Sequence, residues 1–139
     1  MLIWARRGLG LLLLVLALGF VGYSGLNRVF AYSESFTLAT GAAAGPDIER
    51  IAERAVFNNA RVEVLGHTGT LGDAAANTTL SQERADEIAR QLKAVLPADW
   101  PISSLGVGAA QPLEREADES DRAYQRRLAR VEIRLSPKA

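Results

Sequence analysis

The feature that most constrains this chain is a long apolar run near its N-terminus. Nineteen consecutive uncharged residues, Gly8 to Leu26, are about as many as an α-helix needs to cross the ~30 Å hydrocarbon core of a bilayer. Arg6 and Arg7 precede the run and only Arg28 follows it closely, which by the positive-inside rule predicts a cytoplasmic N-terminus. The sequence therefore predicts a single-pass membrane protein with everything after the run on the far side of the membrane.

A cleavable signal peptide is the alternative interpretation of the same run. Val29 and Ala31 place small residues three and one positions before a cut ahead of Tyr32. The run is longer than the roughly 7 to 15 apolar residues of a signal peptide, which favours the anchor. The predicted organisation is an anchor or signal over residues 1–26, a linker over 27–33, one domain over 34–136 and a tail over 137–139.

Charge and composition exclude several classes of function. Sixteen basic and sixteen acidic residues give a formal net charge of zero, so no long-range field directs the chain to nucleic acid. The chain has no cysteine, which removes disulfides, thiolate zinc sites and the lipidated cysteine of a lipoprotein. His67, the one histidine, has no partner residues at a recognisable spacing, and we interpret it as a residue at a strand end. We predict a protein that is not an enzyme and holds no metal or cofactor.

The rest of the chain alternates between two hydrophobic periodicities. A period of two predicts strands, and helical spacing predicts helices between them. The predicted strands contain Phe36 and Leu38, then Val62 and Val64, then Ile102, Leu105 and Val107, and finally Ala129, Val131, Ile133 and Leu135, with Arg130, Glu132 and Arg134 facing outward. The pattern predicts an α/β domain, a two-layer α+β sandwich with helices packed on one sheet.

Two helices are predicted between these strands. The first starts at Pro46 and buries Ile48, Ile51, Ala52, Ala55 and Val56. The second is capped by Ser81, ends before Pro97, and presents Leu80, Ala85, Ile88, Leu92 and Val95 on one apolar face. The charged interval from Glu114 to Arg127 is interpreted as a solvated helix or loop rather than a cation site, because arginines interleave its carboxylates.

One segment carries a family resemblance. The stretch GHTGTLGDAAANTTLSQERADEIARQL, Gly66 to Leu92, resembles the signature of the OmpA and MotB C-terminal domains: GHTD, a glycine, an asparagine, and LSxxRA opening a helix. The segments Gly106–Leu113 and Arg130–Ile133 also fall in family order, so the resemblance extends over about Ser35 to Leu135. It implies a βαβαβ-type periplasmic domain of the bacterial envelope that binds the diaminopimelate-containing stem peptide of peptidoglycan.

The resemblance also implies a set of ligand-binding residues. Thr68, Asn77 and Arg84 match the motif, and Arg84 corresponds to the family arginine that holds a ligand carboxylate. Arg130 matches one position of the family triplet NRR, where this chain has LAR. Asn77 has an equally good alternative role, because asparagine satisfies backbone groups in loops.

The motif departs from the family at one charged position. The aspartate that follows GHT and pairs with the ligand ammonium is Gly69 here. Losing one partner of a buried charge pair typically costs about 2 to 5 kcal/mol of affinity, so binding is predicted to be weakened or retuned. Asp73 lies in the same loop and is a candidate replacement. The alternative function is a degenerate domain that serves as a protein-interaction or structural part of an inner-membrane envelope complex.

Overall fold

The computed structural model describes residues 32–40 and 45–138. The predicted anchor or signal over residues 1–26, and the linker up to residue 31, lie outside the described residues. Within the described ranges, no helix combines the length and the apolar character that crossing a bilayer requires.

Strands and helices alternate along the described chain. In order they are β1 (Glu34–Ala39), α1 (Gly45–Phe57), β2 (Ala60–His67), α2 (Ala74–Val95), β3 (Ile102–Gly108), α3 (Asp121–Leu128) and β4 (Arg130–Pro137). The predicted mixed α/β class is confirmed. The order extends the predicted βαβαβ pattern by one unit, because the charged interval before the last strand contains α3.

The four strands form one sheet in the order β1-β4-β2-β3. β4 runs antiparallel to both of its neighbours, with Val131 opposite Leu38 on one side and Ile133 opposite Val64 on the other. β2 and β3 are parallel, and α2 forms the crossover between them. The last strand of the chain therefore lies inside the sheet.

A single hydrophobic core joins one face of this sheet to α1 and α2. Alternate residues of the two central strands point into it, as period-2 strands require. They pack with the inward faces of both helices, and the principal buried members are Ile51, Ala55, Val62, Val64, Ala85, Ala89, Leu92, Val131, Ile133 and Leu135.

Two glycines set how closely α2 approaches the sheet. A Cβ on Gly66 in β2 would overlap the backbone carbonyl of Ser81, and a Cβ on Gly106 in β3 would overlap the backbone nitrogen of Gln82. Ser81 is itself fully buried, where its hydroxyl donates to Thr78 O and accepts from Gly108 N at 2.8 and 2.9 Å. The glycines of the two motif segments thus have a packing role.

This close approach corrects the predicted start and face of α2. Ser81 does not cap the helix, which begins seven residues earlier, where the Asp73 carboxylate accepts from Ala76 N at 2.8 Å. Near these two glycines only small residues fit, so Ser81 and Ala85 face the sheet there. Leu80 and Val95 are exposed instead of buried.

One further sequence prediction about burial was wrong, because Val56 lies at the exposed flank of α1. Leu105 is in the predicted third strand, on the exposed side of β3. Arg130 faces away from the helices as predicted, but it is buried there, where it donates to Leu128 O and Gln111 O. The remaining inward residues of β1, β2 and β4 are buried or half-buried as predicted.

Candidate functional site

The candidate site lies where β2 ends and α2 begins. Thr68 directly follows β2, and its backbone N–H donates to Gly108 O at 2.9 Å, which fixes it against the end of β3. Its side chain is buried, yet Oγ1 has no hydrogen-bond partner within the described part of the chain. Buried side-chain oxygens are nearly always hydrogen-bonded, so the unsatisfied hydroxyl of Thr68 is unusual.

Asn77 ties the loop after Thr68 to the first turn of α2. Its Nδ2 donates to Leu71 O at 3.0 Å, and its backbone N–H donates to Asp73 O at 2.9 Å. The structure therefore shows the backbone-satisfying role expected of a loop asparagine, and the amide oxygen accepts no hydrogen bond from a described residue. The Asp73 carboxylate caps α2, where the positive end of the helix dipole stabilises its charge. It is therefore poorly suited to replace the aspartate that the family motif has at position 69.

Arg84 lies two helical turns beyond Asn77, about 10 Å along the axis and on the same side of α2. It is half-buried, and it makes no hydrogen bond or ion pair with any residue in the described ranges. Arg90, six residues further along the helix, pairs with Glu87 instead. The five N–H donors of Arg84 are thus available to an acceptor from outside the domain.

The place of the motif aspartate is filled by a glutamine that sequence reasoning missed. Gln125 of α3 accepts from Thr70 N at 2.8 Å through Oε1 and donates to Thr70 Oγ1 at 2.9 Å through Nε2. A Cβ on Gly69 would run into Oε1 of Gln125. The backbone of Gly69 is not in the left-handed region, so a movable side chain, and not backbone strain, opposes a larger residue there.

The helix that carries Gln125 is held by a network of charges. Ser120 caps α3, and Arg127 in its last turn bonds Glu119 at 2.8 Å. The Tyr124 ring lies against the Arg115 guanidinium, 4.8 Å from the ring centroid. Most charged side chains of this interval are exposed, as the interpretation of a solvated face predicts. The Arg127–Glu119 pair is largely shielded from solvent and helps to keep Gln125 over the loop.

An open groove of about 930 Å³ runs beside Gln125, between α3, the end of β1 and the loop after β2. Its walls carry three arginines and two carboxylates from α3 and the residues before it, and one exposed apolar side chain from the loop. The lining residues are Ala39, Thr40, Leu71, Glu119, Asp121, Arg122, Ala123, Gln125, Arg126, Arg127 and Ala129.

Arg130 is placed apart from the other predicted site residues. Its neighbour Val131 faces the helices and pairs with Gly66, so strand alternation directs Arg130 to the opposite face of the sheet from α2. There its Nε and one terminal nitrogen donate to Glu132 Oε1 at 3.0 and 2.7 Å. The guanidinium is already engaged by an internal carboxylate.

His67 completes this buried polar cluster. Its Nε2 lies 3.7 Å from Glu132 Oε1, and the ring is fully buried. Burial, followed by the nearby charge of Arg130, lowers the pKa of His67, so the ring is neutral at pH 7. Burial opposes ionisation of Glu132, but hydrogen bonds from Arg130 and Arg134 hold its pKa below the ordinary value. The predicted position of His67 at a strand end is confirmed.

No set of three or more potential metal ligands converges among residues 32–40 and 45–138. The structure thus brings Thr68, Asn77 and Gly69 to one end of the sheet, with Arg84 further along α2 and Arg130 on the far face. Gln125 has no sequence signal of its own, because it lies far along the chain from Gly69 and meets it only through folding.

Comparisons with known proteins agree with this architecture. The sequence model of the OmpA family matches residues 31–126 of this chain. The matched stretch includes Thr68, Asn77 and Arg84 and ends before Arg130. Outer membrane porin F of Pseudomonas fluorescens is 36% identical over 83 residues, which are 59% of this chain and 26% of the porin. Outer membrane protein P5 of Haemophilus influenzae is 34% identical over 94 residues, 63% of this chain and 27% of P5. The chain spans about a quarter of the length of these relatives.

Solved structures share the fold at lower identity. The cell wall anchor of the T6SS from Pseudomonas aeruginosa superposes with a TM-score of 0.59 at 23% identity, over 86% of this chain and 95% of the anchor. The OmpA-like domain of FopA1 from Francisella tularensis gives a TM-score of 0.62 at 20% identity, over 76% and 73%. The peptidoglycan-associated lipoprotein from Burkholderia pseudomallei gives 0.53 at 17%, over 73% and 87%.

Proposed function

The chain belongs to the OmpA family, and from this premise we propose that it is a non-catalytic protein of the bacterial envelope whose domain, residues 34–136, binds peptidoglycan. Two proteins that share its fold are by name a cell wall anchor and a peptidoglycan-associated lipoprotein, which supports the proposal. The observation that carries it is Arg84: a half-buried arginine, placed by the family motif, that no described residue engages.

The ligand we propose is the diaminopimelate-containing stem peptide. Arg84 would hold a peptide carboxylate, because a planar guanidinium donates two parallel hydrogen bonds to that group. The amide oxygen of Asn77 would contact the polar backbone of the peptide, since it accepts no hydrogen bond from a described residue. Thr68 would act from beneath the site, because its side chain is buried and its backbone N–H fixes the end of β2 against β3. We assign Arg130 an indirect part, in which it holds Glu132 and the carbonyl of Gln111 beneath the site.

The proposed affinity is lower than that of a site with the motif aspartate. Gly69 offers no charge to the ligand ammonium, and the neutral amide of Gln125 occupies the adjacent space. An amide dipole interacts more weakly with an ammonium than a carboxylate does. Binding would therefore depend mainly on Arg84 and on the polar groups near it.

Retention on intact peptidoglycan tests this function. We expect the full chain to co-sediment with purified cell-wall sacculi and Arg84→Ala to lower the affinity for them about tenfold, a loss of about 1.4 kcal/mol. Arg90→Ala is the matched control, since Arg90 lies on the same helix but is exposed and paired with Glu87. A wild-type chain that stays in the supernatant, or equal losses in the two variants, would contradict the proposal.

A second candidate function is a protein-interaction or structural part of an inner-membrane envelope complex. The observation that favours it is Gln125, which fills the aspartate position and bonds Thr70 instead of leaving the pocket open. Under this alternative, neither wild type nor Arg84→Ala would bind sacculi, while the folded domain would still co-purify with an envelope partner.

We propose an inner-membrane location, with residues 8–26 as a single span, the N-terminus in the cytoplasm and the domain in the periplasm. The alternative is a free periplasmic domain after cleavage near Ala31. The support is the length of the apolar run and the arginines before it. Resistance to alkaline extraction from membranes is the expected result, and a soluble species with Tyr32 at its N-terminus would establish cleavage.

A further inference from the structure

Three apolar side chains are exposed together at one end of the domain. Phe57 is 86% exposed, and Val56 and Val95 are 44% and 48% exposed. They line a shallow groove of about 560 Å³ between the C-terminal ends of α1 and α2, beside Ala52, Glu49 and Glu53. Contiguous exposed apolar surface of this kind usually marks a contact with a partner or with lipid.

This apolar group lies at the end of the domain where β1 and β2 begin, which we call the entry end. Arg54, in the last turn of α1, pairs with Glu34 at the start of β1 at 3.6 Å. β2 starts three residues after Phe57, and Ala60 lies opposite Pro137 in the sheet. The described chain therefore enters the domain at Tyr32 on the same end that presents Phe57.

The candidate peptide site is at the other end. Thr68 and Leu71 follow the last residue of β2, whose eight residues extend about 25 Å. Gln125, which covers Gly69, is at that end as well. The domain thus has an apolar end and a polar, ligand-facing end.

The sequence brings a lipid surface within reach of the entry end. The apolar run ends at Leu26, and eight residues from there to Glu34 extend at most about 30 Å. A bilayer that holds the run would lie within that distance of Glu34, which is at the entry end of the domain. Removing an exposed phenylalanine from water is favourable, so contact with lipid would stabilise one orientation of the domain.

We propose that the entry end rests on the membrane, with Phe57 inserted into the interfacial layer of the bilayer and Val56 and Val95 beside it, so that the candidate peptide site faces the cell wall. This inference depends on the membrane anchor of the proposed function and not on peptidoglycan binding. It assigns the exposed end of α1 a role as a second, peripheral membrane contact.

Site-directed spin labels test the proposal, and the chain suits them because it contains no cysteine. Full-length Phe57→Cys and Leu71→Cys would each be labelled and reconstituted into vesicles of phosphatidylethanolamine and phosphatidylglycerol. Leu71 is the matched control, since it is 72% exposed and at the opposite end. We expect a several-fold higher ratio of collisions with lipid-soluble oxygen to collisions with an aqueous nickel chelate at position 57 than at position 71.

A mutation of the contact itself provides the second measurement. In full-length Val95→Cys, adding Phe57→Ser should shift the label toward the aqueous reagent, because the domain loses its main insertion. Equal, water-like ratios at positions 57 and 71 would overturn the proposal, as would failure of the chain to enter vesicles. Dipolar broadening between labels at position 57 would identify a second copy of the chain as the occupant and would also overturn it. Retention on sacculi by Phe57→Ser is expected to be unchanged, so the two functions fail separately.

Discussion

Gln125 and Thr70 lie 55 positions apart in the chain and are joined by two hydrogen bonds, in which Gln125 Oε1 accepts from Thr70 N at 2.8 Å and Nε2 donates to Thr70 Oγ1 at 2.9 Å. The pair closes the loop after β2 over Gly69. Side chains at this end of the sheet thus occupy the space that a carboxylate at position 69 would need. The Gln125–Thr70 hydrogen bonds therefore determine how a carboxylate introduced at position 69 would affect binding.

Restoring the aspartate is expected to require removal of Gln125. Gly69→Asp alone should bind diaminopimelate-containing peptide only slightly better than wild type, because Gln125 must first be displaced. Gly69→Asp with Gln125→Ala should bind at least about tenfold more tightly, a fraction of the 2 to 5 kcal/mol that a close charge pair can contribute. Titration calorimetry of the folded proteins measures this.

Gln125→Ala alone is the control for that experiment. It opens the space without adding charge, so its affinity should stay within about twofold of wild type. If the double variant folds and still binds no better than wild type, position 69 does not face a ligand and the interaction-module alternative gains support.

Close packing of α2 on β3 predicts a large effect from one methyl group. Gly106→Ala should destabilise the domain by about 1 to 3 kcal/mol, because the new Cβ meets the backbone of Gln82, which cannot move without shifting the helix. Gly45→Ala is the control, since nothing lies within 4 Å of a Cβ at the start of α1. Urea melts of both variants check the prediction, and equal midpoints would show that α2 can move away at little cost.

The corrected face of α2 predicts opposite outcomes for two residues that the sequence pattern groups together. Leu92 is fully buried in the core, so Leu92→Ala should cost about 2 to 5 kcal/mol of unfolding free energy. Val95 is largely exposed, so Val95→Ala should change stability by less than about 0.5 kcal/mol. Thermal or urea unfolding measures both variants. Similar losses of unfolding free energy would indicate that α2 buries the face predicted from periodicity.

The buried cluster behind the site predicts loss of stability in acid. The pKa of His67 is lowered in the folded domain, mainly by burial, so below roughly pH 6.5 the unfolded chain binds the extra proton more readily. Stability from this residue is present above that pH and is lost as pH falls toward the folded pKa. The slope approaches at most about 1.4 kcal/mol per pH unit.

Glu132 adds a second step at lower pH. Its folded pKa is depressed, so its contribution is present above its unfolded value of roughly 4.3 and is lost as pH falls through the folded pKa. His67→Gln should remove the step that begins below roughly pH 6.5 and leave the lower one in place. Unfolding midpoints measured across this range check both signs, and an unchanged profile in His67→Gln would contradict the role of the histidine.

Local sequence determined much of this fold. The alternation of Val131, Ile133 and Leu135 with charged residues predicted β4, because a half-buried strand has a period of two whatever lies beside it. The helix over Ile48 and Ile51 followed from the helical period in the same way. The GHT motif indicated the family on its residues alone, including the departure at Gly69.

Tertiary structure alone decided the remaining features. Which side of α2 is buried depends on how near Gly66 and Gly106 let the helix come to the sheet, and the burial of Arg130 depends on the segments around α3 that cover it. Gln125 fills the place beside Gly69 only because α3 folds back over the loop. Periodicity describes how a segment relates to its own axis, whereas these features depend on distances between segments far apart in the chain, which only packing sets.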